Sequence, residues 1–333
     1  MKKEITTILA ICVFLGLCVW AITKQKNPYH YNAGHVFGTY YNIRYQTPSD
    51  LEKGILKQLE KIDKSLSIYN NQSIIYKINN NIAVTTDSLF ELMYNEARSI
   101  YEKSNHAFDI TVAPVVNAWG FGTGEKQMKV TPQHLDSLRM LIGMDKIQLQ
   151  NHQIIKDNPA ILLDANAIAK GLACDIVAEF LRKNQCKNFL IDIGGEVVTQ
   201  GVNSSEQAWK IGITKPYDDI TGKIQDVHEV IEVNECCMAT SGNYRQFYYQ
   251  DSLRRSHTVD PLTGYPVNHT LLSATVMASS CMRADAIATA CMVLGVEKSL
   301  QMVEKMPDCE CYLIYDSPSG LQTITSSTWQ PKK

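Results

Sequence analysis

The 333-residue chain lacks an excess of either charge: 32 Lys and Arg stand against 34 Asp and Glu, a net charge of −2. With its basic residues scattered along the chain, it offers no electrostatic footprint for DNA, RNA or an acidic partner. It also lacks a Gly-x-Gly-x-x-Gly fingerprint and a Walker A loop, so the two usual backbone grips on nucleotide phosphates are missing. Its ten cysteines include no Cys-x-x-Cys pair, and Cys236-Cys237 and Cys309-x-Cys311 do not have zinc-site spacing. No disulfide framework follows from them. Cys174, Cys281 and Cys291 fall in apolar patterns and read as small buried hydrophobes. There is no internal repeat and no low-complexity tract. What is present, 45% hydrophobic and 20% charged residues, is the composition of a folded globular protein.

One long uncharged run occurs, residues 5–22, with Lys2 and Lys3 ahead of it and Lys24 and Lys26 behind. Eighteen residues reach the lower limit of a membrane span, and the leading lysines hold the N-terminus on the cytoplasmic side. The run reads as an export signal retained as an anchor. Leu15-Gly16-Leu17-Cys18 is similar to a lipobox, with Leu17 where a small residue is usual, so lipid on Cys18 is a second route to the same tether. Residues 23–35 are polar, aperiodic and carry Pro28, and read as a linker.

From Val36 to Gln46 the chain alternates like a strand, and Leu51, Ile55, Leu59, Ile62 and Leu66 recur at helical steps within Pro48 to Leu66. A second helix is expected from Asp87 to Ser104. Further strands are expected at 147–150, 160–164, 189–193, 209–213, 229–233, 256–259, 273–278 and 312–316. Hairpin-type turns such as Asp260 to Gly264 join several of these, which favours an α+β fold of mixed, largely antiparallel sheets with flanking helices over a doubly wound sheet.

Four segments carry chemistry. Leu162 to Leu181 reads as strand, turn and helix, with Asp164 at the strand end and Asn166 able to cap the helix. A carboxylate there serves an active site or a cap. Phe189 to Val197 is an apolar strand running into Gly194-Gly195, a pair that permits positive φ or close approach of a ligand. His257, on a strand entering a Pro-Gly turn, is able to accept a proton from a hydroxyl nucleophile or simply to bond across the turn. In the apolar helix Arg283 to Gly295, Asp285 and Thr289 lie four apart and so share one face. They are either a buried pair served by Arg283 or another base, or two hard oxygens of the kind magnesium prefers. Ser279 or Ser280 caps that helix and Gly295 ends it.

In this order the segments 37–45, 66–73, 106–122, 163–175, 190–197, 239–247, 256–267 and 284–295 resemble the ApbE family, the bacterial FAD:protein FMN transferases. The resemblance implies one ApbE-like domain over residues 36–329. It implies FAD as bound substrate and Mg²⁺ as cofactor, with FMN transferred to a threonine hydroxyl of an acceptor protein and AMP released. Flavin contacts would fall on Phe37, Tyr69, Ala107, Phe108, Asp109, Asp164, Lys170 and Val259. The metal would fall on the Ala167 carbonyl, Asp285 and Thr289, and His257 is the first candidate for the base. Three positions depart from common members: Phe37 replaces a methionine, Ala288 an aspartate found in some, and Lys170 a glutamate found in some. The acceptors implied are redox-driven ion-pump subunits and related electron-transfer proteins. With the anchor, the enzyme would sit on the bacterial inner membrane facing the periplasm. The same residues would also serve an FAD pyrophosphatase, in which water replaces threonine, or a tethered flavin-binding protein.

Overall fold

In the computed structural model, which describes residues 27–123, 130–216, 226–243, 247–250 and 253–330, eight strands form one sheet. Among the described residues the strands are β1 (Tyr29–Val36), β2 (Thr39–Gln46), β3 (Ile147–Gln150), β4 (Gln153–Lys156), β5 (Phe189–Ile193), β6 (Glu196–Gln200) and β7 (Trp209–Thr214). They continue with β8 (Val227–Val233), β9 (Cys236–Gly242), β10 (Phe247–Gln250), β11 (Leu253–Ser256), β12 (Leu271–Met277), β13 (Glu310–Tyr315) and β14 (Gln322–Thr325). The large sheet runs β1-β2-β5-β6-β9-β12-β13-β14, with every pairing antiparallel. The α-helices among the described residues are α1 (Glu52–Leu66), α2 (Ile74–Asn79), α3 (Ser88–Lys103), α4 (Ala113–Ala118), α5 (Pro132–Arg139), α6 (Ala169–Lys183), α7 (Cys281–Leu294) and α8 (Val296–Val303). The α+β expectation holds.

Alternation decides which face of the sheet the helices cover. Tyr41, Ile43 and Tyr45 of β2 and Phe189, Ile191 and Ile193 of β5 are buried in one core with Ile55, Leu59 and Ile62 of α1 and the α6–α7 pair. On the opposite face the β7–β8 hairpin lays Trp209, Ile211, Ile213 and Ile231 over Val197, Met238 and Ile314. Helix α7 is largely apolar and, apart from the partly exposed Thr289, Val293 and Leu294, is buried between sheet and helices.

Several boundaries differ from expectation. The stretch 23–35, read as a linker, already contains most of β1, which pairs with β2 from Tyr29↔Gln46 to Val36↔Thr39. Residues 160–164 do not form a strand. Their backbone partners are the side-chain amide of Asn79, bonded to both N–H and C=O of Leu163, and the Ile110 carbonyl, which accepts from Asp164 N–H at 2.7 Å. Strand β11 ends at Ser256, so His257 lies in the bend after it, and Val259 makes an isolated bridge to Pro266. Asn166 does not cap α6; its N–H donates to Asp164 Oδ1 at 2.8 Å, and Ile168 holds the N-cap position. Ser280 does cap α7, and Gly295 ends it with φ of 75°. The apolar run 5–22 lies outside the described residues, among which no helix is long and apolar enough to cross a membrane.

Candidate active site

Two hairpin tips build one wall of the site. The two-residue β1–β2 turn places Phe37 (φ 52°) and Gly38 (φ 72°) in the positive-φ region that such hairpins need. The β5–β6 turn does the same with Gly194 (φ 66°) and Gly195 (φ 106°). It is fastened by Gly194 N–H to the Tyr40 carbonyl and Gly195 N–H to Asp192 Oδ1, both at 3.0 Å. The paired glycines therefore have the turn role expected of them. They also bring Glu196, the next residue, inward beneath the tip.

The opposite wall is the α6–α7 pair, whose N-termini cap each other. Asp285 Oδ2 on α7 accepts from Gly171 N–H of α6 at 3.0 Å. Asp175 on α6 accepts from Cys281 N–H at 3.0 Å and Met282 N–H at 2.8 Å at the start of α7. Both carboxylates face helix N-termini, where partial positive charge and unpaired donors favour them. Burial nonetheless pushes the Asp175 carboxyl up to about 6. The two helices meet at Gly171, where a Cβ would stand 2.3 Å from the Cys281 carbonyl oxygen.

Between the walls lies a cavity of about 1350 Å³. It is lined by every residue expected as a flavin contact, metal ligand or base: Phe37, Tyr69, Ala107, Phe108, Asp109, Asp164, Ala167, Lys170, His257, Val259, Asp285 and Thr289. Residues up to 252 positions apart in the chain thus share one space. Tyr69 is at the rim and largely exposed, whereas Ala107, Phe108 and Asp109 are buried. Asp109 Oδ1 accepts from Thr111 N–H at 2.7 Å and from its hydroxyl at 2.6 Å, yet burial pushes the carboxyl up to about 6. Burial likewise raises Asp164. His257 makes an edge contact with the Phe121 ring, centroids 6.3 Å apart.

The family ApbE matches residues 37–313, most of the described chain. The chain belongs to the ApbE family. Among ApbE relatives, the FAD:protein FMN transferase of Vibrio cholerae serotype O1 is 34% identical over 90% of this chain and 91% of its own length. That of Haemophilus influenzae is also 34% identical, over 99% and 98%. Among solved ApbE structures, the flavin transferase of Vibrio cholerae superposes with a TM-score of 0.83 at 32% identity, covering 93% of this chain and all of that one.

The ApbE segments converge on one polar cluster. The basic partner of Asp285 is not Arg283, which turns away to pair with Glu96 at 2.8 Å and Asp308 at 2.9 Å. It is Lys170, whose Nζ lies 3.7 Å from Asp285 Oδ1 and 3.0 Å from Glu196 Oε1. Glu196 was not singled out by sequence. The only local signal is its place directly after the glycine pair, on the inward register of β6. Burial raises both carboxyls, Asp285 and Glu196. Burial opposes the Lys170 charge, but the two carboxylates outweigh it and hold the ammonium above its usual range. With both buried carboxyls ionised, one ammonium between them would leave one negative charge uncompensated.

That surplus fits a cation. Glu196 Oε2 is buried without a hydrogen-bond partner. Ala167 lies one residue before the Ile168 N-cap of α6, outside the helical hydrogen-bond ladder, so its carbonyl has no helical N–H to accept from. Thr289 lies one turn along from Asp285 and reaches Ser241 Oγ only at 3.4 Å. These are hard oxygen donors, suited to magnesium rather than to zinc or copper. Among the described residues no three His, Cys, Asp or Glu side chains cluster as a metal site, so a cation here depends on backbone, hydroxyl and substrate oxygens as well.

Proposed function

We propose that this chain is a magnesium-dependent FAD:protein FMN transferase. It moves the FMN half of FAD onto a threonine hydroxyl of an acceptor protein and releases AMP. The observation that carries this reading is the convergence of all the family-matched positions on one cavity floored by Asp285, Lys170 and Glu196. Its volume exceeds the roughly 300–1,000 Å³ of ordinary small-ligand pockets. That suits a dinucleotide together with the side chain of a second substrate.

Phe37, Tyr69 and the Ala107–Asp109 segment lie where they can hold the flavin, with Asp164, Lys170 and Val259 completing the contacts. Ala167, Asp285 and Thr289 would hold the metal, which when bound neutralises charge on the pyrophosphate. Lys170 adds a fixed positive charge on the same side. The acceptor oxygen forms its bond to the FMN-side phosphorus as the bond to the AMP oxygen breaks, and AMP carries away that electron pair. His257, at the cavity wall, takes the threonine proton.

The acceptor class favoured by this reading is a redox-driven ion-pump subunit or related membrane electron-transfer protein. Residues 5–22 support a location on the bacterial inner membrane with the domain on the periplasmic side, tethered by the helix or by lipid on Cys18. The test is incubation of the purified chain with FAD, Mg²⁺ and an acceptor domain, followed by intact mass. A gain of one FMN on a threonine is expected, abolished by chelation. FMN and AMP released with an unmodified acceptor would make the enzyme a pyrophosphatase, and intact FAD would make it a binding protein.

A further inference from the structure

Glu196 has no part in the reaction as described, yet it is among the most enclosed charges in the protein. Its side chain is 3% exposed, Oε1 meets Lys170 Nζ at 3.0 Å, and Oε2 is buried with no partner. Asp285 has one oxygen committed to Gly171 N–H, and the other faces the same ammonium at 3.7 Å. The Asp285 oxygen left for a cation is therefore the one that Lys170 already approaches.

We propose that Glu196 is a positioning residue that draws the Lys170 ammonium off Asp285 when a divalent cation binds there. The inference rests on the metal role of Asp285 and adds a partner exchange to it. An ammonium and a dication cannot both sit on one carboxylate oxygen inside a buried site, where like charges repel far more than in water. Lys170 is a compact charge on a flexible stem with three donors, able to change partners without moving its helix. Glu196 offers two oxygens, one of them idle, so it can take the ammonium completely. With Asp285 and Glu196 ionised, a dication and the Lys170 ammonium together leave the cluster with a surplus positive charge, the sign a pyrophosphate requires. With Glu196 uncharged, Lys170 would have Asp285 as its only carboxylate and would compete with the metal.

The experiment is a titration of the full chain with Mn²⁺ alone, bound and free ion separated by electron paramagnetic resonance, without FAD. Glu196→Gln is expected to raise the Mn²⁺ dissociation constant about tenfold, at the low end for loss of an outer-sphere partner. Adding Lys170→Met to Glu196→Gln removes the competitor and should return the constant to within about twofold of the wild type. A purely structural Glu196 would leave the double variant as weak as the single one. Glu196→Asp, which keeps the charge, should stay within about threefold of wild type and covers the case in which Glu196→Gln fails to fold. Unchanged Mn²⁺ affinity in Glu196→Gln, or no recovery in the double variant, would overturn the exchange. FMN transfer by the wild type is scored separately. Its absence beside the expected Mn²⁺ pattern would refute the reaction alone, and its presence beside an altered pattern would refute this inference alone.

Discussion

Gly171 and Asp285, 114 residues apart in sequence, are joined by one hydrogen bond, from the Gly171 N–H to Asp285 Oδ2 at 3.0 Å. The bond exists because Gly171 has no Cβ: a methyl there would press on the Cys281 carbonyl oxygen at 2.3 Å and force α6 and α7 apart. The close helix crossing thus lets a carboxylate of α7 cap the N-terminus of α6.

Gly171→Ala should therefore cost about 1–3 kcal/mol through overpacking against backbone that cannot yield. It should also weaken Mg²⁺ dependence, because Asp285 and Ala167 lose their mutual placement. Chemical denaturation and a Mg²⁺ activation curve check the two effects. An alanine variant of wild-type stability would mean the helices are not in contact as described.

Asp285→Asn keeps an oxygen for the Gly171 N–H and removes one of two carboxylates that share a single ammonium. The fold should survive with little change in thermal midpoint, while half-maximal activation should need at least about tenfold more Mg²⁺. Circular dichroism melting and a Mg²⁺ titration of transfer check this. A large loss of stability with Mg²⁺ dependence intact would return Asp285 to a structural role.

His257→Ala should leave FAD binding near wild type and slow FMN transfer by about 10²–10⁴, the usual worth of a positioned base. Flavin fluorescence titration and single-turnover mass measurements separate the two. Normal transfer by the variant would remove His257 from the mechanism.

Asp109 links stability to pH. Burial lifts its carboxyl from 3.8 to about 6, so between those values the folded chain binds more protons than the unfolded one. Stability from this group accordingly falls as pH rises from about 4 to 6 and is level above that. A shift of that size corresponds to about 3 kcal/mol at neutral pH. Asp109→Asn should raise apo stability at pH 7 by about 2 kcal/mol and match the wild type near pH 4. Urea unfolding at the two pH values is the measurement, and a variant less stable than wild type at pH 7 would contradict it.

Much of the fold was legible in local pattern. Phe189–Ile193 and Ile147–Gln150 are strands with the expected limits, and α3 occupies the expected stretch, capped at Asp87 and closed at Ser104. Expectation failed where a segment's partner was not another strand. Leu163 is held by the Asn79 side chain and His257 sits past the end of a hairpin, arrangements that leave no periodic signature. The residues before Val36 look polar and aperiodic because β1 is an edge strand, with one side facing solvent and little to bury.

By itself the sequence determined that Asp285 and Thr289 share a helix face, that a glycine pair turns the chain before Glu196, and that the ordered motifs are those of the ApbE family. Side-chain periodicity fixes direction within one element, and these conclusions need nothing more. Only the tertiary structure decided that Asp285 answers to Lys170 and Gly171 rather than to the adjacent Arg283, and that Glu196 belongs to the same cluster. The reason is that a buried charge must find its partner wherever packing brings one. Here packing joins a hairpin tip and two helix N-termini that are far apart along the chain.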